Sequence, residues 1–163
     1  MSALRSLPPS PSDEARRQAA LDAYAVVGSV PEQPYDDIVR LAVTLCDVPA
    51  AAISLIDHDR QWFKAQIGLD VRETARSEAI CDRAIRQPDR MLVVEDLLQH
   101  PELPRPSMRV DGDPLRFYAG VPLLSPDGEP LGVVCVLDNK PRTLTAAQRE
   151  GLEVLARQTQ HLL

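Results

Sequence analysis

Few residues in this sequence have the right type and surroundings for chemistry. There are three cysteines, three histidines and scattered carboxylates and guanidinium groups. A thiol does nucleophilic or redox work only as a thiolate with an activating or resolving partner nearby. Cys46, Cys81 and Cys135 are an odd number at wide spacing, which suits a reduced compartment better than a disulfide framework or a metal knuckle, though Cys81 and Cys135 become neighbours if the middle helix overlies the sheet. Burial as a small hydrophobe is the default expectation for each. His58 sits in a turn and His100 precedes Pro101, both solvent-type positions. Asp57 and Asp59 flank His58 and lack an evident partner base, so they read as turn-shaping residues. The sequence holds no glycine-rich nucleotide loop, no Gly-x-Ser-x-Gly elbow and no His-Glu-x-x-His site. The chain is therefore expected not to be an enzyme and to hold no metal. What remains is the chemistry of binding, centred on Cys81, on Arg116, Phe117 and Tyr118, and on Trp62 beside Phe63.

These residues fall on well-marked elements. Ser10 followed by Pro11 and Asp13 starts a first helix, with Leu21, Tyr24 and Val27 as its stripe and Gly28 as its stop. A second helix over 35–46 places Ile38, Leu41, Ala42 and Leu45 on one face. Strands over 50–57 and 61–67 form a hairpin around His58-Asp59-Arg60, with Lys64 read as a surface residue. Trp62 and Phe63 are adjacent on a strand, so only one of them can look into a cavity. Residues 76–87 read as a helix with Ile80, Cys81, Ala84 and Ile85 inward, 91–94 as a strand and 97–114 as irregular. Strands over 115–124 and 131–138 flank the turn Ser125-Pro126-Asp127-Gly128. Thr145 and Gln148 form a capping box for a last helix, with Leu152, Leu155, Ala156, Thr159 and Leu163 as its stripe. This order predicts an α+β fold, an antiparallel β-sheet with helices on its faces.

Bulk properties narrow the function classes. A chain of 163 residues with 44% hydrophobic content can bury one core, so a flexible leader over 1–9 and a single domain over 10–163 are expected. A net charge of -6 argues against nucleic-acid and anionic-membrane partners. No apolar run reaches bilayer length and the N-terminus lacks a signal-peptide core, which predicts a cytoplasmic protein.

Four stretches carry a resemblance: Ala52–Asp57 with Arg60–Lys64; Ile80-Cys81 with Ala84-Ile85; Arg116–Leu123; and Leu131–Asp138, followed by Pro141-Arg142 and the capped last helix. Together, over about residues 30–163, they resemble a bacterial GAF subgroup found ahead of histidine kinase or diguanylate cyclase domains. The resemblance implies a GAF/PAS-like sheet with terminal helices packed together. It also implies a ligand cavity between one sheet face and the middle helix and loop, and homodimers formed through the terminal helices. It leaves the ligand and any cofactor unknown. The subgroup's usual Cys-x-His stands here as Cys81-Asp82-Arg83, so a joint thiol and imidazole role is absent.

The resulting expectation is a small-molecule-sensing or regulatory domain in signal transduction, without catalysis. Two alternatives stand beside it, a ligand-free dimerisation module and a GAF-fold free methionine sulfoxide reductase. The candidate ligand-binding residues are Cys81, Arg116, Tyr118, Trp62 and Phe117. Strand alternation groups Arg116, Tyr118 and Gly120 on one face and Leu115, Phe117, Ala119 and Val121 on the other. Cys81 is expected on the apolar wall, with Arg116 or Tyr118 supplying polar recognition of an anionic or carbonyl-bearing ligand.

Overall fold

The computed structural model describes residues 7–163, so most of the expected leader lies outside the described residues. In chain order the elements are α1 (Pro11–Asp22), α2 (Gln33–Cys46), β1 (Ala50–Asp57), β2 (Arg60–Ile67), β3 (Glu73–Ala75), α3 (Ile80–Ala84), β4 (Leu92–Val94), β5 (Arg109–Val110), β6 (Asp113–Pro114), β7 (Phe117–Leu124), β8 (Pro130–Asp138) and α4 (Ala146–Leu162). Six strands form one antiparallel sheet in the order β3-β2-β1-β8-β7-β4, and β5-β6 is a separate small ribbon. The α+β fold expected from the sequence is the fold observed.

Helices α2 and α4 pack on each other and on one sheet face. Tyr35, Ile38, Val39, Ala42, Leu152, Leu155 and Ala156 meet Ile53, Phe117, Ala119, Val134 and Val136 there. Burying an aliphatic side chain of this kind contributes about 1.5–3 kcal/mol. Gly151 lets the two helices approach, since a Cβ at that position would lie 2.4 Å from Leu45 Cδ2. Thr145 and Gln148 cap α4 reciprocally at 3.1 and 2.9 Å, as the capping box predicts. The opposite face is covered by α3 and the irregular segment before β7, which enclose Phe63, Ile80, Cys81, Tyr118 and Cys135.

Several elements differ from expectation for identifiable reasons. Helix α1 stops at Asp22 rather than running to Gly28, because Ala25 already takes a left-handed φ of 52°. In α2 the buried stripe is Tyr35, Ile38, Val39, Ala42 and Cys46, and Leu41 points outward at 56% exposure. The middle helix shrinks to a 3₁₀ turn Arg76–Glu78 and five residues of α3, with no side-chain cap at either N-terminus. Lys64, expected at the surface, is buried. The reason is a β-bulge: Ile53 pairs with Ala65 and Ser54 with Phe63, leaving Lys64 as the extra residue. Its ammonium turns inward to donate to Ser29 Oγ at 2.8 Å, Val30 O at 2.6 Å and Glu32 Oε2 at 2.6 Å.

Helix α1 closes one end of the sheet. Leu21 and Val26 pack with Leu55 and Leu131, and Trp62 leans on the same cluster. Arg17 is buried and donates to Ile56 O at 2.7 Å and Pro130 O at 3.2 Å. Gln18 donates to Asp57 at 2.7 Å and accepts from the His58 amide at 2.8 Å. Burial of these polar groups is tolerated because each finds a partner.

Candidate functional site

The site lies between α3 and the inner strands. On β1 the even-numbered residues Ala50, Ala52 and Ile56 face it, and on β8 Val133, Cys135 and Leu137 do so. Cys81 projects from α3 onto this surface, and Tyr118 rises from β7 to meet it, its hydroxyl donating to Cys81 Sγ at 3.0 Å. Gly120 makes this contact possible. Residues two apart on a strand share a face, and a Cβ at Gly120 would lie 2.4 Å from Tyr118 Oη. The tyrosine ring therefore lies across the glycine and reaches the helix.

Three groups converge on the Cys81 sulfur. Besides Tyr118, Cys135 lines the same small space as Cys81. Ser54 Oγ, fully buried at an inward position of β1, has no hydrogen-bond partner. Burial opposes the Cys81 thiolate, but donors from Cys135, Ser54 and Tyr118 outweigh it and hold this thiol below its ordinary value. Cys135 is pushed well up, first by its bond to Cys81 and then by burial, and Tyr118 is pushed well up by burial and by the charge of Cys81. Cys46, on the other sheet face, is raised to about 11 by burial, partly offset by Arg142.

Little space is left inside. The cavity bounded by Gln61, Phe63, Cys81, Met108, Tyr118 and Cys135 has a volume of about 10 Å³ for water centres. That is room for roughly one water molecule.

Cys81 and Tyr118 thus come together, and the other three candidates lie elsewhere. Trp62 faces α1, so Phe63 is the aromatic that looks into the interior. Phe117 is buried on the opposite face, against α2 and α4. Arg116 does not share the Tyr118 face. β7 begins only at Phe117, and the alternation does not extend back through Arg116, so it is Leu115 that lines the interior with Tyr118. The Arg116 guanidinium grips Asp96 with two bonds of 2.9 Å, at the rim of an open surface cavity of about 460 Å³ lined by Leu97, Leu98 and Arg105. Cys135 and Ser54 complete the cluster. The sequence allows Cys135 as a neighbour of Cys81 once a helix overlies the sheet, and period-two alternation along β1 is the signal that would have added Ser54.

An ion-pair strap crosses the rim of this site. Arg76 Nε donates to Asp82 of α3 at 2.7 Å, and Nη1 donates to Glu14 of α1 at 2.5 Å. Arg17 reinforces it with two bonds of 3.0 Å to Glu14, and Arg86 with one of 2.8 Å to Asp82. Side-chain ligand atoms of Asp22, Asp57 and His58 also lie within 4.8 Å of one another, though Asp22 and His58 are exposed. No described helix is long and apolar enough to cross a membrane.

Comparison with known proteins places this geometry in context. The sequence model for the GAF domain matches residues 31–161. The cyclic di-GMP phosphodiesterase PA2567 of Pseudomonas aeruginosa is 40% identical over 136 residues, which are 83% of this chain and 23% of that protein. The chain thus spans about a quarter of the length of that relative. The GAF domain of an Acinetobacter phosphoenolpyruvate-protein phosphotransferase superposes with a TM-score of 0.63 at 18% identity, covering 94% of this chain and 93% of that one. The free methionine-R-sulfoxide reductase of Neisseria meningitidis superposes with a TM-score of 0.63 at 18% identity, covering 95% and 92%. At such identities the likeness is one of fold.

Proposed function

The chain belongs to the GAF domain family, and from that premise we propose that it is a sensory module of a signalling system, with no catalysis of its own, reading its signal in the interior beneath α3. Its output is an enzyme of cyclic di-GMP turnover, a reading supported by the name of the Pseudomonas aeruginosa relative. The observation that carries the proposal is the Tyr118–Cys81 bond closing a space of about 10 Å³. A signal received there is either about the size of a water molecule or strong enough to displace Tyr118. The guanidinium of Arg116 is held by Asp96 outside this space, so recognition rests on Tyr118, Cys81 and Ser54 rather than on a cation. The same space is too small for methionine sulfoxide, which speaks against the reductase alternative.

Hydrogen exchange tests the sensory reading without knowledge of the signal. Tyr118→Phe and Cys81→Ala disturb the interior alone, and faster exchange in α1 and α4 of the folded variants is the expected outcome. Exchange unchanged outside α3 and β7 would remove the reading. In that event the closed interior favours the second reading, a ligand-free dimerisation module joined through α2 and α4, whose outer faces expose Leu41, Val154 and Leu162.

A further inference from the structure

We propose that Cys81 and Cys135 are a neighbouring thiol pair that hydrogen peroxide oxidises to a disulfide, so that the closed interior is a site of covalent modification. The proposal deepens the sensory reading and rests on it, naming a small oxidant, one oxygen atom larger than water, as the molecule that reaches the interior.

Size is the first argument. Room for about one water excludes metabolites while Tyr118 stays in place, whereas a peroxide, larger than water by a single oxygen atom, needs only a small displacement of the walls. The edge of the space is formed by Pro106 and Met108 from the irregular segment before β7, the least regular wall and the natural way in.

Donor geometry is the second. A buried thiol with apolar neighbours is inert, but here one sulfur has the Tyr118 hydroxyl at 3.0 Å, the Cys135 thiol lining the same space and an unpartnered serine hydroxyl on the same sheet face. A neutral thiol accepts hydrogen bonds weakly, and a thiolate accepts them well, so the Tyr118 donor favours the nucleophilic form. Ser54 is fully buried in the middle of β1 without a hydrogen-bond partner, which costs stability, and a thiolate on Cys81 would offer its hydroxyl an acceptor.

The chemistry then closes with the atoms present. Cys81 sulfur attacks one peroxide oxygen, the O–O bond breaks, and the departing oxygen leaves as water with the thiol proton. Cys81 becomes a sulfenic acid, and the peroxide is reduced by two electrons. Cys135 sulfur attacks Cys81 Sγ and expels its oxygen, which leaves as a second water with the Cys135 proton as the S–S bond forms. The product bridges α3 and β8. Cys46 faces the other side of the sheet with its thiol raised to about 11, so the molecule carries its own unreactive reference.

The test uses the reduced protein, a brief exposure to hydrogen peroxide, alkylation of the remaining thiols after denaturation, and peptide mass spectrometry. The expected result is a Cys81–Cys135 linked peptide, an intact mass lower by about 2 Da for the two hydrogens lost, and Cys46 still alkylated. In Cys135→Ser the reaction should stop at a sulfenic acid on Cys81 that dimedone captures, and in Cys81→Ser the thiol of Cys135 should survive. Circular dichroism confirms that each variant is folded. Full alkylation of Cys81 after peroxide, or oxidation of Cys46 as fast as Cys81, overturns the proposal. If the interior variants still alter exchange in α1 and α4 while every thiol resists peroxide, the thiol pair falls and the sensory reading stands. If neither effect is seen, both fall.

Discussion

Replacing Glu14 by Gln removes the charge at the centre of the strap between α1 and α3. The carboxylate takes bonds from Arg17 at 3.0 Å and from Arg76 at 2.5 and 3.3 Å. Although partial burial opposes the charged form, these guanidinium groups lower the Glu14 pKa from 4.5 to about 2. At about 1.4 kcal/mol for each tenfold change in acidity, that depression sets a ceiling of about 3 kcal/mol on the stability it contributes. The side chain remains 28% exposed, and solvent screening brings the expected loss in Glu14→Gln to about 1–2 kcal/mol at pH 7. The sign follows from the depressed folded value. The contribution is complete above pH 4.5, where the carboxyl is ionised in both states, and it is lost as the pH falls toward 2. Urea unfolding of wild type and variant between pH 7 and pH 2.5 measures it. The stability gap should be widest at pH 7, constant down to about pH 5, and smaller below that. A gap that stays constant through the acid range, or that is absent at pH 7, would refute the electrostatic account of the strap.

Four further outcomes are expected. Leu152→Ala, at a fully buried position between α2, α4 and the sheet, should cost about 2–5 kcal/mol in chemical unfolding. Gly120→Ala should drive the Tyr118 ring off the sheet, break its bond to Cys81 and cost about 1–3 kcal/mol, with faster alkylation of Cys81 as the direct readout. Purified protein should show no turnover of free methionine sulfoxide with any thiol donor, and steady-state reduction abolished by Cys81→Ser would contradict this. Sedimentation at tens of micromolar should show a dimer whose interface includes α2 and α4, and Leu41→Glu should weaken it, since that side chain is exposed on the outer face of α2.

Patterns set by a few neighbouring residues were legible in advance. The capping box at Thr145 and Gln148 gave the start of α4, and Ser125 to Gly128 gave the β7–β8 turn, closed by Gly128 N donating to Ser125 O at 2.9 Å. The burial of Leu152, Leu155, Ala156 and Thr159 followed from helical period alone. Features that depend on a break in period were not legible. The bulge at Lys64 shifts the parity of β2, and nothing in Trp62-Phe63-Lys64-Ala65 announces it. The late start of β7 likewise moved Arg116 off the Tyr118 face and into its pair with Asp96, a residue 20 positions earlier. Of the candidate site, Cys81 and Tyr118 were found because each lies inside a regular stretch. Their meeting depends on Gly120, whose role is visible only once the ring is seen lying over it. Arg17 and Gln18 were missed because a helix rich in charged residues reads as solvated, while their partners include the Ile56 carbonyl and the His58 amide, some 40 residues away in sequence.

The placement of α1 bears on where the cooperative unit begins. The family match starts at residue 31, whereas α1 spans Pro11–Asp22 and covers Leu55 and Leu131, both fully buried. A version trimmed to residues 31–161 would strip Leu21 and Val26 from that apolar end. It would also leave the Ile56 carbonyl without its Arg17 donor and Arg76 without Glu14. Trimming to the family boundary would therefore remove folding energy rather than a dispensable extension, and would weaken the interior's outer wall at the Arg76–Asp82 contact. Fusions and deletions of this module should be cut ahead of Ser10, whose hydroxyl accepts from the Asp13 amide and fixes the first turn of the helix.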